Sequence, residues 1–378
     1  MNNNIAKRHR VADLFAGAGG LSLAAQQAEM SVIVAVEFDK WAAETYRTNF
    51  CKAEAINPPT LYEKDISHLC PKELREKHFS GQSGCDVLLG GPPCQGFSAH
   101  RINDAGVNDP RNKLIHRYFD YVREFRPRVF LMENVPGILW DRHREYLEQF
   151  YQEGRDAGYH LFDPIVLDAR DYGLPQRRRR VFVLGVDKNV DRSNFQWPPA
   201  PSHGSEKERL VNPTLRPWVS CASVFLPAEP GDINDVHMQH SQAMVDVFAK
   251  TPHNGGSRKD SGRILPCHME HNGHRDVYGR IDPAFPAPTM TTACINPSKG
   301  RFVHPNQDHG ITARQAARIQ TFPDSFIFVG GLMAAGKQIG NAVPVKMGET
   351  LLRHISKLLS PTDEERPVDQ RKAELIPA

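Results

Sequence analysis

The chain has 378 residues, enough for one large domain or two ordinary ones around a substantial core. Lys and Arg total 47 against 44 for Asp and Glu, so the charge balance permits a phosphate partner without demanding one. Seven cysteines with no CxxC pair fit a reducing cytoplasmic setting, and no apolar run approaches the roughly 18 residues that span a bilayer. The polar start at residues 1–10 has no apolar segment of the secretory kind.

The first half reads as α/β, with short apolar runs alternating with amphipathic stretches. Strands are predicted at residues 11–15, 31–37, 85–91 and 128–135. Their continuous Val, Leu and Phe suit a parallel sheet buried on both faces. Helices are predicted at about residues 21–29, 40–50 and 112–125, the last ended by Pro127. A further strand pair is expected at residues 165–169 and 180–186. From about residue 197 to 309 Pro, Gly and His become dense. Nine of the seventeen histidines fall between His203 and His309, in what reads as a smaller, loop-rich domain. Helical pattern returns at residues 312–321 and 345–359, with Pro344 at the first turn of the latter. The polar tail after Ser360 is expected to be disordered.

Asp13-Leu-Phe-Ala-Gly17-Ala-Gly19-Gly20-Leu21 follows a strand and opens a helix. Glycines there let backbone approach a ligand, and helix N–H groups face it. A nicotinamide fingerprint would place its third glycine where Ser22 stands, so adenosylmethionine fits better. A plain strand-to-helix turn is the alternative reading. Glu37 ends the next strand, where a carboxylate can accept both hydroxyls of a ribose. Asp65, near a third strand end, can take a bond from an adenine amine. Taken singly, each is equally readable as a surface carboxylate.

Gly90-Gly91-Pro92-Pro93-Cys94-Gln95-Gly96-Phe97-Ser98 directly follows an apolar strand. Two glycines and two prolines ahead of Cys94 point to a displayed thiol at the carboxyl end of a sheet, rather than a buried structural one. Glu133, in Met132-Glu133-Asn134-Val135-Pro136, ends another strand and would face the same crevice. Held protonated by low polarity, such an acid can donate to a ring nitrogen. Gln176-Arg177-Arg178-Arg179-Arg180 leads into a strand. Alternation places Arg178 and Arg180 on one face, with Arg177 and Arg179 opposite. One pair could hold a base or a phosphate, or form a solvated basic edge.

In this order the strings resemble the bacterial DNA cytosine-5 methyltransferase family over about residues 10–359. Thr312-Ala-Arg314-Gln-Ala-Ala-Arg318-Ile-Gln320-Thr-Phe-Pro-Asp324 is similar to the helix that organises the family's small domain. Gln338-Ile-Gly-Asn341-Ala-Val343-Pro344 is similar to its C-terminal segment, and Pro286-Ala-Pro-Thr-Met-Thr-Thr292 to the marker late in its recognition region.

The resemblance implies a Rossmann-like α/β sheet that binds S-adenosylmethionine, with a second, smaller target-recognition domain. Residues 1–196 would be catalytic and residues 197–325 would recognise the target. Residues 326–360 would return to the catalytic domain, ahead of the 361–378 tail. The activity implied is methyl transfer to C5 of a cytosine flipped out of duplex DNA. Cys94 would attack C6, Glu133 would bind N3, Arg178 would lie near the base O2, and Arg180 would support the loop. Arg179 departs from the Glu or Lys common there. Gln95, Ser98 and Gln176 would contact DNA. Phe15, Ala16, Gly17, Gly19, Gly20, Leu21, Glu37, Phe38, Asp65, Ile66, Pro93, Leu114, Asn341 and Val343 would form the cofactor pocket.

The expected protein is a cytoplasmic monomer that associates with the nucleoid through DNA, acting either beside a separate restriction endonuclease or as an orphan or phage-defence enzyme. No metal is expected, since the Cys267, His268, His271 and His274 spacing fits no common zinc site. Three rivals have distinguishing marks. An RNA cytosine methyltransferase of this fold would carry a Cys-Phe-Thr string, which is missing. An inactive DNA-binding relative would lack Cys94 or Glu133. A nicotinamide oxidoreductase would have the third glycine.

Overall fold

The structure is a computed structural model, and it describes residues 8–52, 57–81, 84–93, 113–262 and 276–360. Cys94, Gln95, Ser98, the Cys267–His274 cluster and the C-terminal tail lie outside the described residues.

Five strands form a parallel sheet: β1 (Arg10–Leu14), β2 (Ser31–Glu37), β3 (Thr60–Glu63), β4 (Val87–Gly90) and β5 (Val129–Asn134). Their spatial order is β3-β2-β1-β4-β5. Strand β8 (Arg179–Asp187) adds to β5 in antiparallel sense. The far side of β8 is shared by β6 (Tyr159–Leu161) and β7 (Ile165–Asp168).

Every residue of β4 and β5 is buried, because helices cover both faces of the sheet. Side chains alternate between the two cores, as the strand period requires. Val11 joins the core beneath α1 (Gly20–Gln27), α2 (Lys40–Phe50) and α10 (Val345–Leu359). Ala12 and Leu14 join the opposite core, beneath α3 (Pro71–His78), α4 (Lys113–Phe125) and α5 (Arg144–Asp156). Asp39 starts α2 by accepting the Trp41 and Ala42 amides.

The described residues between 197 and 310 are mostly irregular. They carry short pieces: β9 (His203–Gly204), α6 (Glu206–Val211), β10 (Arg216–Pro217) and α7 (Gln242–Lys250). Within it, Ala287 pairs in parallel with Gln176, just ahead of β8. Helices α8 (Ala313–Ile319) and α9 (Gly331–Asn341) follow before α10.

The Rossmann-like α/β class read from the sequence is what the sheet displays. Strand 31–37 and helices 40–50 and 345–359 fall at their expected bounds. Helix α9 was not expected, because Gly336 and Gly340 are poor helix formers. Its glycines answer a packing need. A Cβ on Gly336 would sit 2.6 Å from Ile295, and one on Gly340 would overlap the main chain of Thr291. Among the described residues no helix is long and apolar enough to cross a membrane.

Candidate active site

The turn from β1 to α1 is bent by left-handed backbone at Phe15 and Gly17, with φ of 59° and 57°. Glu37 pins it from the neighbouring strand. Its Oε2 accepts the Gly17 amide at 2.7 Å, and its Oε1 accepts the Phe38 and Asp39 amides at 2.9 and 2.6 Å. Burial pushes the Glu37 carboxyl above the usual range, against these three amide bonds. Phe38 follows directly and is 72% exposed, so its ring is not used by the core.

Ala16, Gly19, Gly20 and Leu21 are buried as the turn enters α1, and no side chain caps that helix. The C-terminal segment closes over the turn. A Cβ on Gly20 would lie 2.7 Å from the Val343 carbonyl oxygen. Val343 itself is buried, and Asn341, two residues before it, is exposed. Asp65 caps a short turn by accepting the Ser67 amide and hydroxyl, which lowers its pKa, while Ile66 is buried behind it. Leu114 packs at the edge of the second core, and Pro93 is half-buried.

Asp13 is a feature that the sequence did not single out. Its carboxyl is fully buried behind the turn. Oδ2 accepts the Ser22 hydroxyl at 2.6 Å, and that hydroxyl also meets the Tyr46 hydroxyl at 2.8 Å. Oδ1 has no hydrogen-bond partner among the described residues. Burial raises Asp13 from 3.8 to about 7.

The second half of the site lies at the ends of β4 and β5. Glu133 is nearly buried, and Arg180 Nε donates to its Oε1 at 2.9 Å. Burial pushes the Glu133 pKa up, while the charges of Arg180 and Arg178 pull it down. The other oxygen, Oε2, faces Gly91, where an added Cβ would stand 3.3 Å from it. One carboxylate oxygen is thus held, and the other points at the Gly-Pro-Pro segment that leads into Cys94. Asn134 ties this segment to β5, with Nδ2 donating to the Pro92 carbonyl at 3.4 Å. That contact was not foreseen, because the 42 positions between them leave no local sequence pattern.

Two expected roles need correction. Gln176 was expected to contact DNA, but it is fully buried and both ends of its amide are committed. Nε2 donates to the Gln320 Oε1 at 2.6 Å and the Ile319 carbonyl at 3.3 Å, and Oε1 accepts the Met290 amide at 2.8 Å. The two inward arginines also have different surroundings from those expected. Arg180, not Arg178, touches Glu133. Arg178 is fully buried and donates to the carbonyls of Met290, Gly340 and Ala342 at 2.7, 2.8 and 2.9 Å. Alternation correctly set this pair apart from Arg177 and Arg179, which are exposed. It could not say which inward arginine reaches the crevice.

Comparisons with known proteins give the family. Residues 9–357 match the family described as C-5 cytosine-specific DNA methylase. The chain is 32% identical to the Type II methyltransferase M.DdeI of Desulfomicrobium norvegicum, over 92% of this chain and 88% of that protein. It is also 32% identical to M.FnuDI of Fusobacterium nucleatum, over 94% of this chain and 96% of the relative. Among solved structures it resembles a DNA modification methyltransferase encoded within an E. coli prophage. There the TM-score is 0.69 at 26% identity, covering 93% of this chain and 99% of that one. The chain belongs to the C-5 cytosine-specific DNA methylase family.

Proposed function

We propose that this chain transfers a methyl group from S-adenosylmethionine to C5 of a cytosine flipped out of duplex DNA, through a transient bond from Cys94 to C6. The observation that carries the reading is the carboxyl of Glu133. Arg180 fixes one oxygen, and the other is directed at the segment that ends in Cys94.

The residues at the β1 and β2 ends suit the proposed cofactor. The Glu37 carboxylate is anchored for ribose hydroxyls, the exposed Phe38 ring offers a face to adenine, and the uncapped start of α1 offers amides to a carboxylate. Asp65 and Ile66 would border the adenine, and Phe15, Leu114, Pro93, Asn341 and Val343 the rest of the pocket. When bound, S-adenosylmethionine supplies an electrophilic methyl on a sulfonium.

The chain's own residues then divide the work. Cys94 attacks C6 as the thiolate, forming the sulfur–carbon bond. Glu133 holds a proton at N3, which draws electrons from C6, and its raised pKa suits that task. C5, made electron-rich by that attack, would accept the methyl as its bond to the sulfonium sulfur breaks and S-adenosylhomocysteine leaves. Loss of the C5 proton then reforms the ring double bond and expels the Cys94 thiolate. Arg180, beside Glu133, is assigned to the base O2 edge, and Asn134 to steadying the loop through Pro92. Gln95 and Ser98 are assigned to the DNA backbone.

Recognition is assigned to residues 197–325, with residues 326–360 returning to the catalytic part. The Type II names of the relatives favour a separate endonuclease partner whose site this methylation would protect. The proposed site of action is the cytoplasm, on the nucleoid. Bisulfite sequencing of DNA from a host that expresses the chain tests the reading. The expected result is 5-methylcytosine at one short motif. A soluble, expressed protein that leaves no methylated motif would refute it.

A further inference from the structure

We infer that Arg178 is a positioning residue that couples the segment ending the recognition region to the segment closing the cofactor pocket, so that target DNA and cofactor bind cooperatively. The inference rests on the function proposed above, and it concerns a buried side chain whose donors bond to backbone carbonyls.

The guanidinium lies fully buried between two backbone segments. One end donates to the Met290 carbonyl, in the Pro286–Thr292 string. The other donates to Gly340 and Ala342, on either side of Asn341. These partners lie 112 to 164 positions away in sequence. Its three partners are neutral carbonyls, and its Nε has none among the described residues. A buried cation in such a setting is costly unless every acceptor stays in place. Moving either segment therefore strands a charge, which ties the positions of the two together.

Two glutamines extend the tie. Gln176 accepts the Met290 amide and donates to Gln320. Gln320 in turn donates to the carbonyls of Ile339 and Ala342 at 2.6 and 3.0 Å. The same recognition residue and the same C-terminal carbonyl are thus reached twice, by separate side chains. The main chains also touch directly, since Gly340 packs on Thr291 with no room for a Cβ. From Ala342 the next residue is Val343, whose carbonyl lies over Gly20 in the cofactor turn. A displacement at Met290 thus has a short, fully packed route to the cofactor turn.

The test is a thermodynamic cycle on the full chain. S-adenosylhomocysteine is titrated without DNA and with a duplex carrying the motif found by bisulfite mapping. In the wild-type protein the duplex is expected to tighten binding about fivefold or more, within the usual range of coupling between sites. In Arg178→Lys, which keeps the charge but loses the three-carbonyl fork, the factor is expected to fall to within about twofold of one. A lost packing role alone would lower Tm and leave the ratio of the two affinities unchanged. Should Arg178→Lys not fold, Gln320→Met removes only the auxiliary bonds and is expected to lower the factor by about half. An unchanged factor in either folded variant, or no coupling in the wild-type protein, overturns the inference alone. A wild-type protein that binds neither ligand, or has no methylated motif, overturns the functional reading with it.

Discussion

Replacing Glu133 by Gln separates its chemistry from its structural role. The amide oxygen can take the place of Oε1 and still accept from Arg180 Nε, now at 2.9 Å. The amide nitrogen takes the side that faces Gly91. What disappears is the proton that Glu133 would hold at N3. A positioned acid contributes roughly 10²–10⁴ in rate, or about 3–5 kcal/mol of barrier. The pair is largely buried, so loss of the negative charge also costs stability, about 1–3 kcal/mol with the hydrogen bond kept. Glu133→Ala leaves Arg180 Nε without its acceptor and removes the carboxylate paired with that charge, and should cost about 3–5 kcal/mol.

The assay is single-turnover methylation with enzyme in excess, with duplex affinity and Tm measured alongside. Burial raises the Glu133 pKa, so the protonated acid persists to higher pH than an exposed carboxyl would. The wild-type kcat/KM should therefore carry a falling limb as pH rises through that pKa, and Glu133→Gln should lack it. A folded Glu133→Gln protein within tenfold of the wild-type rate would refute the role assigned to this acid.

Asp13→Asn should stabilise the protein at neutral and alkaline pH. Asp13 titrates near 3.8 when unfolded and is raised to about 7 by burial, so folding favours its protonated form. Wild-type stability therefore falls as pH climbs from about 4 to 7 and is level above that, with a ceiling near 4 kcal/mol for this group. The variant's advantage in Tm should grow across the same window, and a pH-independent difference would contradict the burial argument. Phe38→Ala should change stability by less than about 0.5 kcal/mol, since the ring is 72% exposed. It should weaken S-adenosylhomocysteine about tenfold by calorimetry, one aromatic contact's worth. Gln176→Leu should lower stability by about 1–3 kcal/mol by denaturant titration, because it strands the Met290 amide and the Gln320 amide oxygen.

Local chemistry was the readable part of this chain. Helix 40–50 has Asp39 as its cap and an amphipathic face, and helix 345–359 has Pro344 before it and an apolar stripe down to Leu359. Both announce themselves within one window of sequence. The glycine turn and Glu37 were legible for the same reason, since each sits at a strand end. Long-range partners were not. Gln176 and Arg178 sit in one basic string and look like a DNA-facing edge. Their true partners are carbonyls and a glutamine more than a hundred positions away. Asp13 resembled a plain strand residue, because only the folded sheet brings Ser22 and Tyr46 to its carboxyl. Helix α9 was hidden by glycines whose purpose appears only where Ile295 and Thr291 press against them.

The central claim is that Cys94 bonds to the base while Glu133 and Arg180 hold it. A duplex with 5-fluorocytosine at the mapped target position tests this directly, because fluorine at C5 cannot leave as a proton does. With S-adenosylmethionine present, the wild-type protein should form an adduct stable to denaturing electrophoresis. Cys94→Ala should form none while binding S-adenosylhomocysteine normally. An adduct that persists in Cys94→Ala, or none in an active wild-type protein, would contradict the account.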